Sequence, residues 1–190
     1  MTDTKEIFEE ARTNTVWLAR PVLDELLQRV YEVAKMGPTS ANCCPMRVIF
    51  VKSPESKERL KPSLNEGNVE KTMKAPATAI VAYDTLFYDF LPKLFPARDM
   101  RTGFANNAEL AQSTAFRNGS LQGAYLVIAA RALGLDCGPM SGFDNAKVDA
   151  EFFPDGRWKS NFLCNLGYGD HTKLYPRNPR PSFEEACRIL

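Results

Sequence analysis

The sequence predicts an α/β or α+β fold in which helices cover a single β-sheet. Segments with the helical spacing of apolar residues alternate along the chain with a few short apolar runs that are typical of strands. Of the 190 residues, 44% are hydrophobic and 25% are charged, as in globular proteins that bury a substantial core. No repeat or low-complexity segment interrupts the pattern, so we expect one domain over 1–190.

The first predicted elements are two helices, a strand and a third helix. An N-terminal helix is expected at about 3–12. A second helix follows Pro21, because apolar residues recur there at helical spacing, and Gly37 ends it. The segment "RVIFVK", 47–52, is rich in β-branched residues and predicts a strand. The next helix begins at Pro54, since proline suits the first helical position.

The middle of the chain predicts a helix, a buried strand and an aromatic segment. The segment "NVEKTMKA" has helical character up to Pro76. The apolar run "ATAIVAYD", 77–84, fits a strand that is buried on both faces. The aromatic segment 85–100 contains Pro92 and Pro96, so we expect a helix or two turns with a mobile end.

The second half of the chain predicts a long helix, two shorter helices and a further strand. The longest helical pattern covers about 105–133, where small residues such as Gly119 and Gly123 would let another helix approach closely. The segment "FDNAKVDAEFF" predicts a helix, and "SNFLCNLGYG", 160–169, predicts a strand that glycines end. Ser182 and Glu185 form a capping box for a last helix, "FEEACRIL", 183–190.

Charge and hydropathy exclude several classes of partner. The 24 Lys and Arg residues nearly balance the 23 Asp and Glu residues, and no basic stripe or polybasic cluster marks a nucleic-acid or lipid surface. The longest apolar run, 123–130, is too short to span a membrane. The first residues lack the apolar core of a signal peptide. We therefore expect a cytoplasmic protein that binds neither nucleic acid nor membranes.

The segment "MGPTSANCCP", 36–45, combines small residues, hydroxyls, an amide and two adjacent cysteines between two prolines. A cysteine nucleophile, a metal site and a surface for a flat ligand are three interpretations of it. The cysteines are Cys43, Cys44, Cys137, Cys164 and Cys187. No pair has C-x-x-C spacing and His171 is the single histidine, which argues against a metal site. A Cys–His nucleophile and a flat-ligand surface stay open.

Polar patches stand where predicted helices and strands end. They are 11–15, 38–42, the pair Asn68 and Lys71, 138–142 and 176–180. The spacing of Asn68 and Lys71 places both on one helical face. The chain contains no G-x-G-x-x-G, P-loop or G-x-S-x-G motif. Together these patches fit FMN. Their arginines suit its phosphate, their hydroxyls and amides suit its polyol chain, and a wall of small residues suits its flat ring.

The same segments, in the same order, resemble the nitroreductase family of flavoenzymes. The matching pieces are Ala11-Arg12-Thr13-Asn14, "PTSANCCP", Asn68 with Lys71, "ARALGLDCGPMSGFD", and Arg180 before "PSFEEA". The pieces "GNVEKT" and "SFEEAC" are similar to the malonic semialdehyde reductase (3-hydroxypropanoate dehydrogenase) subgroup. The resemblance implies a three-layer α+β sandwich with a mainly antiparallel central sheet flanked by helices. It also implies an intertwined homodimer that holds two FMN molecules at its interface.

The resemblance gives each matching residue a role. The FMN phosphate and ribityl chain would be bound by Arg12, Thr13, Asn14 and Arg180. The pyrimidine edge of the flavin would face Asn68 and Lys71. The flavin ring would lie along Pro139, Met140, Ser141 and Gly142. Pro38, Thr39, Ser40 and Asn42 would come from the second protomer. The family often has a second Lys or Arg where this chain has Val16, so the phosphate would rely on the two arginines.

The implied activity is reduction of a small acceptor by NADH or NADPH through FMN. For the subgroup the acceptor would be malonic semialdehyde, reduced to 3-hydroxypropanoate. Arg98 and Arg101 are candidate cations for its carboxylate, and no acid or base is evident for proton transfer. The alternatives are a broad-specificity nitroaromatic or quinone reductase, a non-catalytic FMN-binding protein and, more remotely, a cysteine hydrolase.

Overall fold

The computed structural model describes residues 4–190. The α-helices are α1 (Asp24–Ala34), α2 (Pro54–Leu60), α3 (Glu66–Lys74), α4 (Leu91–Leu94), α5 (Arg101–Ala105), α6 (Ala108–Ala132), α7 (Asn145–Phe152) and α8 (Phe183–Ala186). The strands are β1 (Met46–Val51), β2 (Ala77–Asp84), β3 (Asp136–Met140) and β4 (Trp158–Gly167). Short 3₁₀ turns and one π-helical turn, Lys5–Glu9, complete the elements. None of the helices within 4–190 is long and apolar enough to cross a membrane.

The four strands form one sheet in the order β1-β2-β4-β3, and every neighbouring pair is antiparallel. All eight residues of β2 are buried, as its continuous apolar sequence predicts. The register between β2 and β4 shifts between Val81 and Ala82, where a bulge interrupts the pairing. The structure thus confirms the α+β class and the antiparallel central sheet.

Helices cover both faces of the sheet because alternate residues of β2 point to opposite sides. On one face, Ala79 and Val81 pack in a cluster with α1 and α6. On the other face, Ile80 and Ala82 pack with α2 and α7. The buried helical residues that complete these layers are Leu27, Val30, Ala34, Leu126, Ala129 and Ala130 on the first face, and Leu60 and Val148 on the second. The result is the expected three-layer sandwich.

The small residues of α6 contact the sheet, not another helix as the sequence predicted. A Cβ atom at Gly123 would lie 2.5 Å from the ring of Phe162, and one at Gly119 would lie 2.9 Å from Cβ of Tyr83. Glycine at both positions lets α6 lie directly on β2 and β4. Leu110, Phe116 and Leu121 of the same helix are exposed.

Three further predictions differ from the structure. Strand β3 occupies a segment in which the sequence indicated only a bend at 138–142, because Gly138 and Pro139 are poor strand residues. Proline is tolerated there because β3 is an edge strand. The N-terminal helix is a single π turn, and part of its predicted range lies outside the described residues. The last helix has the predicted capping box but ends at Ala186.

Replacing Gly123 with alanine tests the close contact between α6 and the sheet. We expect Gly123→Ala to lower the free energy of unfolding by about 1–3 kcal/mol, because the new methyl group overlaps Phe162. Gly103→Ala is the matched control, since no atom lies within 4 Å of its Cβ position in α5, and alanine there should stabilise by about 0.5–1 kcal/mol. Urea denaturation of both variants measures the difference. A stabilised Gly123→Ala protein would contradict this packing.

Candidate functional site

The segment that follows the N-terminal turn lies along the free edge of β3. The amide of Asn14 donates to the carbonyl of Cys137 at 3.0 Å, and Thr13 forms an isolated parallel bridge with the same residue. The Asn14 side chain is buried and donates to Asp136 Oδ1 at 3.1 Å. These bonds place 12–14 beside β3, so two of the sequence-predicted groups are neighbours.

Helix α3 is tied to the end of β3 by hydrogen bonds from two asparagines. Asn68 Nδ2 donates to the carbonyl of Gly142 at 2.6 Å, and the amide of Asn65 donates to the same carbonyl at 3.1 Å. A Cβ atom at residue 142 would lie 2.5 Å from Asn68 Nδ2, so only glycine fits this approach. Trp17 Nε1 donates to the carbonyl of Lys71 at 3.0 Å and joins α3 to the N-terminal segment.

The structure therefore brings eight predicted residues together around the end of β3 and the facing side of α3. They are Thr13, Asn14, Asn68, Lys71, Pro139, Met140, Ser141 and Gly142. Within 4–190, the Lys71 ammonium and the hydroxyls of Thr13 and Ser141 donate no hydrogen bond to another residue. This end of the sheet thus presents a cation and two hydroxyls that are free to bind a ligand.

The arginines that the sequence analysis placed near the FMN phosphate have different hydrogen-bond partners. Arg12 donates to the carbonyl of Tyr175, and Arg177 donates to the carbonyl of Ala11 at 2.9 Å. Both guanidinium groups therefore lie where the tail meets the N-terminal segment. Arg180 is exposed, and among the described residues it donates only to the carbonyls of Asn178 and Pro179, beside it in the chain. The structure thus brings Arg177, not Arg180, into contact with the predicted site; the patch 176–180 contained both.

Asp136 is a site residue that the sequence did not single out. Its Oδ2 accepts a hydrogen bond from the amide of Gly169 at 2.8 Å and contacts Nε2 of His171 at 3.0 Å. Its Oδ1 accepts from Asn14. One carboxylate thus joins the N-terminal segment, β3 and the turn after β4. Its partners are 33 to 122 residues away in sequence, so no local motif could have identified it.

The cysteine interpretation of 36–45 finds no support. His171 contacts a carboxylate, and none of its described hydrogen bonds involves a cysteine. Cys43 is buried, and burial raises the pKa of its thiol from 9.0 to about 11. Cys44 Sγ lies 3.7 Å from Thr39 Oγ1 and 3.4 Å from Asn42 Oδ1, and none of its described contacts is with a base. Neither thiol has the environment of a nucleophile.

The four residues predicted to act on the partner's flavin lie in a loop on the other side of the sheet. They are Pro38, Thr39, Ser40 and Asn42, in the loop that leads into edge strand β1. Asn42 Nδ2 donates to the carbonyl of Leu94 at 2.8 Å. The residues around β3 belong to the opposite edge, so one chain alone does not bring the two groups together. A groove of about 1360 Å³ runs beside this loop, lined in part by Pro38, Asn42, Cys44, Arg47, Phe90 and Trp158.

A network of ion pairs anchors the aromatic segment that contains the predicted substrate cations. Asp84 is fully buried and is bonded to Arg47 at 2.7 Å and to Arg157 at 2.9 Å. Asp89 pairs with Arg157 at 3.5 Å and with Arg101 at 3.1 Å. Arg101 is therefore already engaged. Arg98 is exposed, and its described polar contact is to the sulfur of Met100.

The model of the nitroreductase family matches residues 17–168 of this chain, four fifths of its length. The chain belongs to the nitroreductase family. The matched range includes Asn68, Lys71 and 139–142, and it leaves out Arg12–Asn14 and the arginines of the tail. The prediction of an oxidoreductase enzyme is confirmed at this level, and the malonic semialdehyde subgroup is not.

This nitroreductase is similar to proteins of several bacteria. It is 60% identical over 185 residues to a Rhodopseudomonas palustris protein and to a Ralstonia nicotianae protein, covering 97% of this chain and 94% and 95% of theirs. Both carry the provisional name NADH dehydrogenase/NAD(P)H nitroreductase. A nitroreductase structure from Exiguobacterium sibiricum in complex with FMN has a TM-score of 0.82 at 22% identity, covering 95% of this chain and 94% of that one. A Bacillus subtilis nitroreductase structure has a TM-score of 0.86 at 20% sequence identity, and the match covers 98% of this chain and 98% of that one.

Alkylation of the native protein tests the environment of the two adjacent cysteines. At pH 9, about half of an unfolded Cys43 is thiolate, against about one in a hundred when the folded pKa is about 11. We expect iodoacetamide to modify the exposed Cys187 at this pH and to spare Cys43 until the protein is unfolded. Mass spectrometry of the labelled peptides measures both. Equal labelling of Cys43 and Cys187 in the native protein would reopen the nucleophile hypothesis.

Proposed function

We propose that this nitroreductase is a homodimeric, FMN-dependent enzyme that uses NADH or NADPH to reduce malonic semialdehyde to 3-hydroxypropanoate. The observation that carries the proposal is made at the end of β3, which hydrogen bonds join to α3 and to the N-terminal segment. Among the described residues, the Lys71 ammonium and the hydroxyls of Thr13 and Ser141 on these elements donate no hydrogen bond to the protein. The names of the relatives that are 60% identical support NADH or NADPH as the electron donor.

The groups present fit FMN. The molecule has a phosphate dianion at one end, and Arg12 and Arg177 supply guanidinium groups where the tail crosses the N-terminal segment. It has a polyol chain, and Thr13 offers a hydroxyl between those arginines and β3. It has a flat ring, and the exposed Pro139 beside Gly142 leaves a surface without bulky side chains. A neighbouring fold crystallised with FMN supports the same assignment.

Each of these side chains has a definite task. FMN, when bound, supplies the hydride chemistry that no side chain of the protein provides. Lys71 would place a positive charge beside the ring, which gains negative charge on reduction, and this would lower the energy of the reduced state. Asn68 cannot move freely, because its amide holds the carbonyl of Gly142. Trp17 fixes the backbone at Lys71, so the ammonium projects from a rigid turn of α3.

The proposed site uses a second protomer because of the position of the loop 38–42. That loop lies by β1 and the flavin groups lie by β3, so only a second copy of the chain brings them together. The exposed apolar side chains support such a pairing. They include Leu110, Phe116 and Leu121 on α6 and Tyr175, Phe183 and Ile189 in the tail. Residues 175–190 are all exposed in the single chain, as expected of an arm that packs on another molecule.

The first experiment is the visible spectrum of the purified protein, with FMN added and NADH or NADPH then titrated without oxygen. We expect FMN to bind and its absorption near the visible maximum to bleach with at least one nucleotide. Binding without bleaching would indicate a non-catalytic flavin-binding protein. A protein that binds no FMN would refute the proposed function, and size-exclusion chromatography with light scattering would test the dimer independently.

The acceptor is tested by comparing kcat/KM for malonic semialdehyde with that for a neutral quinone and a nitroaromatic. Arg98 is the candidate cation for the carboxylate, because Arg101 already pairs with Asp89. We expect Arg98→Ala to lower kcat/KM for malonic semialdehyde by about 10–100-fold and to leave quinone reduction unchanged. Arg98→Lys keeps the charge, so its kcat/KM for malonic semialdehyde should lie between those of Arg98→Ala and the unmodified protein.

A second candidate, a broad nitroaromatic reductase, is favoured by the names of the relatives. In that case the neutral acceptors are reduced at least as efficiently as the aldehyde, and Arg98→Ala affects all acceptors equally or none. The comparison therefore separates the two candidates with one set of proteins.

A further inference from the structure

Three side chains of α6 bind the backbone of the loop 38–46. Asn118 Oδ1 accepts a hydrogen bond from the amide of Ser40 at 2.9 Å, and Gln122 Oε1 accepts one from the amide of Met46 at 2.9 Å. Tyr125 donates its hydroxyl hydrogen to the carbonyl of Pro38 at 3.1 Å. Asn118 and Gln122 are one helical turn apart, so they face the same side. The helix therefore holds the loop near its start and at the point where it enters β1.

The loop needs this support because its backbone is strained. Ala41 and Asn42 both have φ of 49°, and Cys44 has φ of 39°, in the left-handed region that favours glycine. None of the three is glycine. Such conformations persist only where the surroundings impose them, and they concentrate at functional sites. Gly37, where the loop begins, lies so close to Tyr125 that a Cβ atom there would be 2.1 Å from the ring.

Asn118 and Gln122 are unusual residues for their positions in the helix. They are 5% and 2% exposed, in the middle of a helix whose other buried residues are mostly alanine, glycine and leucine. A buried amide destabilises the fold unless it is hydrogen-bonded, and apolar side chains would fill the space without that requirement. Both amides bond to backbone groups, so they fix the path of the loop whatever side chains the loop carries.

We infer that Asn118 and Gln122 are positioning residues that hold the loop 38–46 of one protomer in place over the flavin bound by the other. The inference rests on the proposed function, in which 38–42 reaches the partner's FMN. It extends that function by assigning the control of one protomer's cofactor affinity to α6 of its partner. Neither residue contacts the flavin itself; each acts through the loop.

The first test measures FMN affinity by flavin fluorescence in purified dimers whose folding is checked by circular dichroism. Gln122→Met keeps the size of the side chain and removes the oxygen that binds Met46, and Gln122→Glu keeps an oxygen there. We expect FMN binding to weaken about tenfold in Gln122→Met and Asn118→Leu and to be largely retained in Gln122→Glu. Leu126→Val, a change in the buried core of the same helix, is the control and should bind FMN as the unmodified protein does.

The second test separates the two protomers. One chain carries Asn118→Leu and Gln122→Met and one affinity tag. The other chain carries Asn68→Leu and Lys71→Met and a different tag. The two chains are co-expressed, and purification on both tags in turn isolates the mixed dimer. If α6 acts on the partner's site, one of the two sites in this dimer is intact, and we expect one tightly bound FMN per dimer. If α6 acts on its own protomer's site, both sites are damaged and no tight FMN binds.

The outcomes separate the inference from the proposed function. An unmodified protein that binds no FMN refutes the proposed function and the inference together. An unmodified protein that binds FMN, with folded Gln122→Met and Asn118→Leu dimers that bind it equally tightly, refutes the inference alone. A mixed dimer without tight FMN also refutes it, because the loop would then not act across the interface.

Discussion

The burial of β2 along its whole length determines where ligands can bind this sheet. Ala77, Ala79 and Ala82 present so little volume that helices pack closely on both faces, and both neighbouring strands hydrogen-bond to it. Main-chain groups without a strand partner therefore remain at the outer edges of β1 and β3. The N-terminal segment takes some of those at β3, and the residues it brings there form the candidate site.

The end of β2 creates a second constraint through the carboxylate of Asp84. A fully buried carboxylate is stable only when it is paired, and Arg47 and Arg157 both bind it, together with the amide of Leu86. Two guanidinium groups against one carboxylate leave a positive charge, which Asp89 offsets through Arg157. The aromatic segment is thus fixed to the sheet through charge balance, and Phe90 lies over both guanidinium groups, at 5.1 and 5.7 Å.

Local sequence rules predict the elements whose stability is decided by neighbours in the chain. The range 77–84 is the same in prediction and structure, Ser53 caps α2 with Pro54 at its first position, and Ser182 begins the expected capping box. The rules fail for β3, where an edge position tolerates Pro139 that a central strand would exclude. They also fail for Asn118 and Gln122, whose partners are 78 and 76 residues away. Two amides one turn apart in a helix of small apolar residues are the only local signal of such a role.

The availability of the Lys71 charge follows from the sequence of α3. Its neighbours along the helix surface, at three and four residues, are Gly67, Asn68, Lys74 and Ala75, and none of these is acidic. The acidic residue beside it, Glu70, is bonded to Lys74 at 2.6 Å. Lys35 and Lys61 show the spacing that Lys71 lacks, since each is paired with a glutamate three residues earlier. Among the described residues, α3 thus gives Lys74 a carboxylate partner and gives Lys71 none, so the Lys71 ammonium is available to a ligand. Because Trp17 and Asn68 hold the same turn against β3, the turn that carries this ammonium is fixed at the end of the sheet, the position that the proposed function assigns to the flavin.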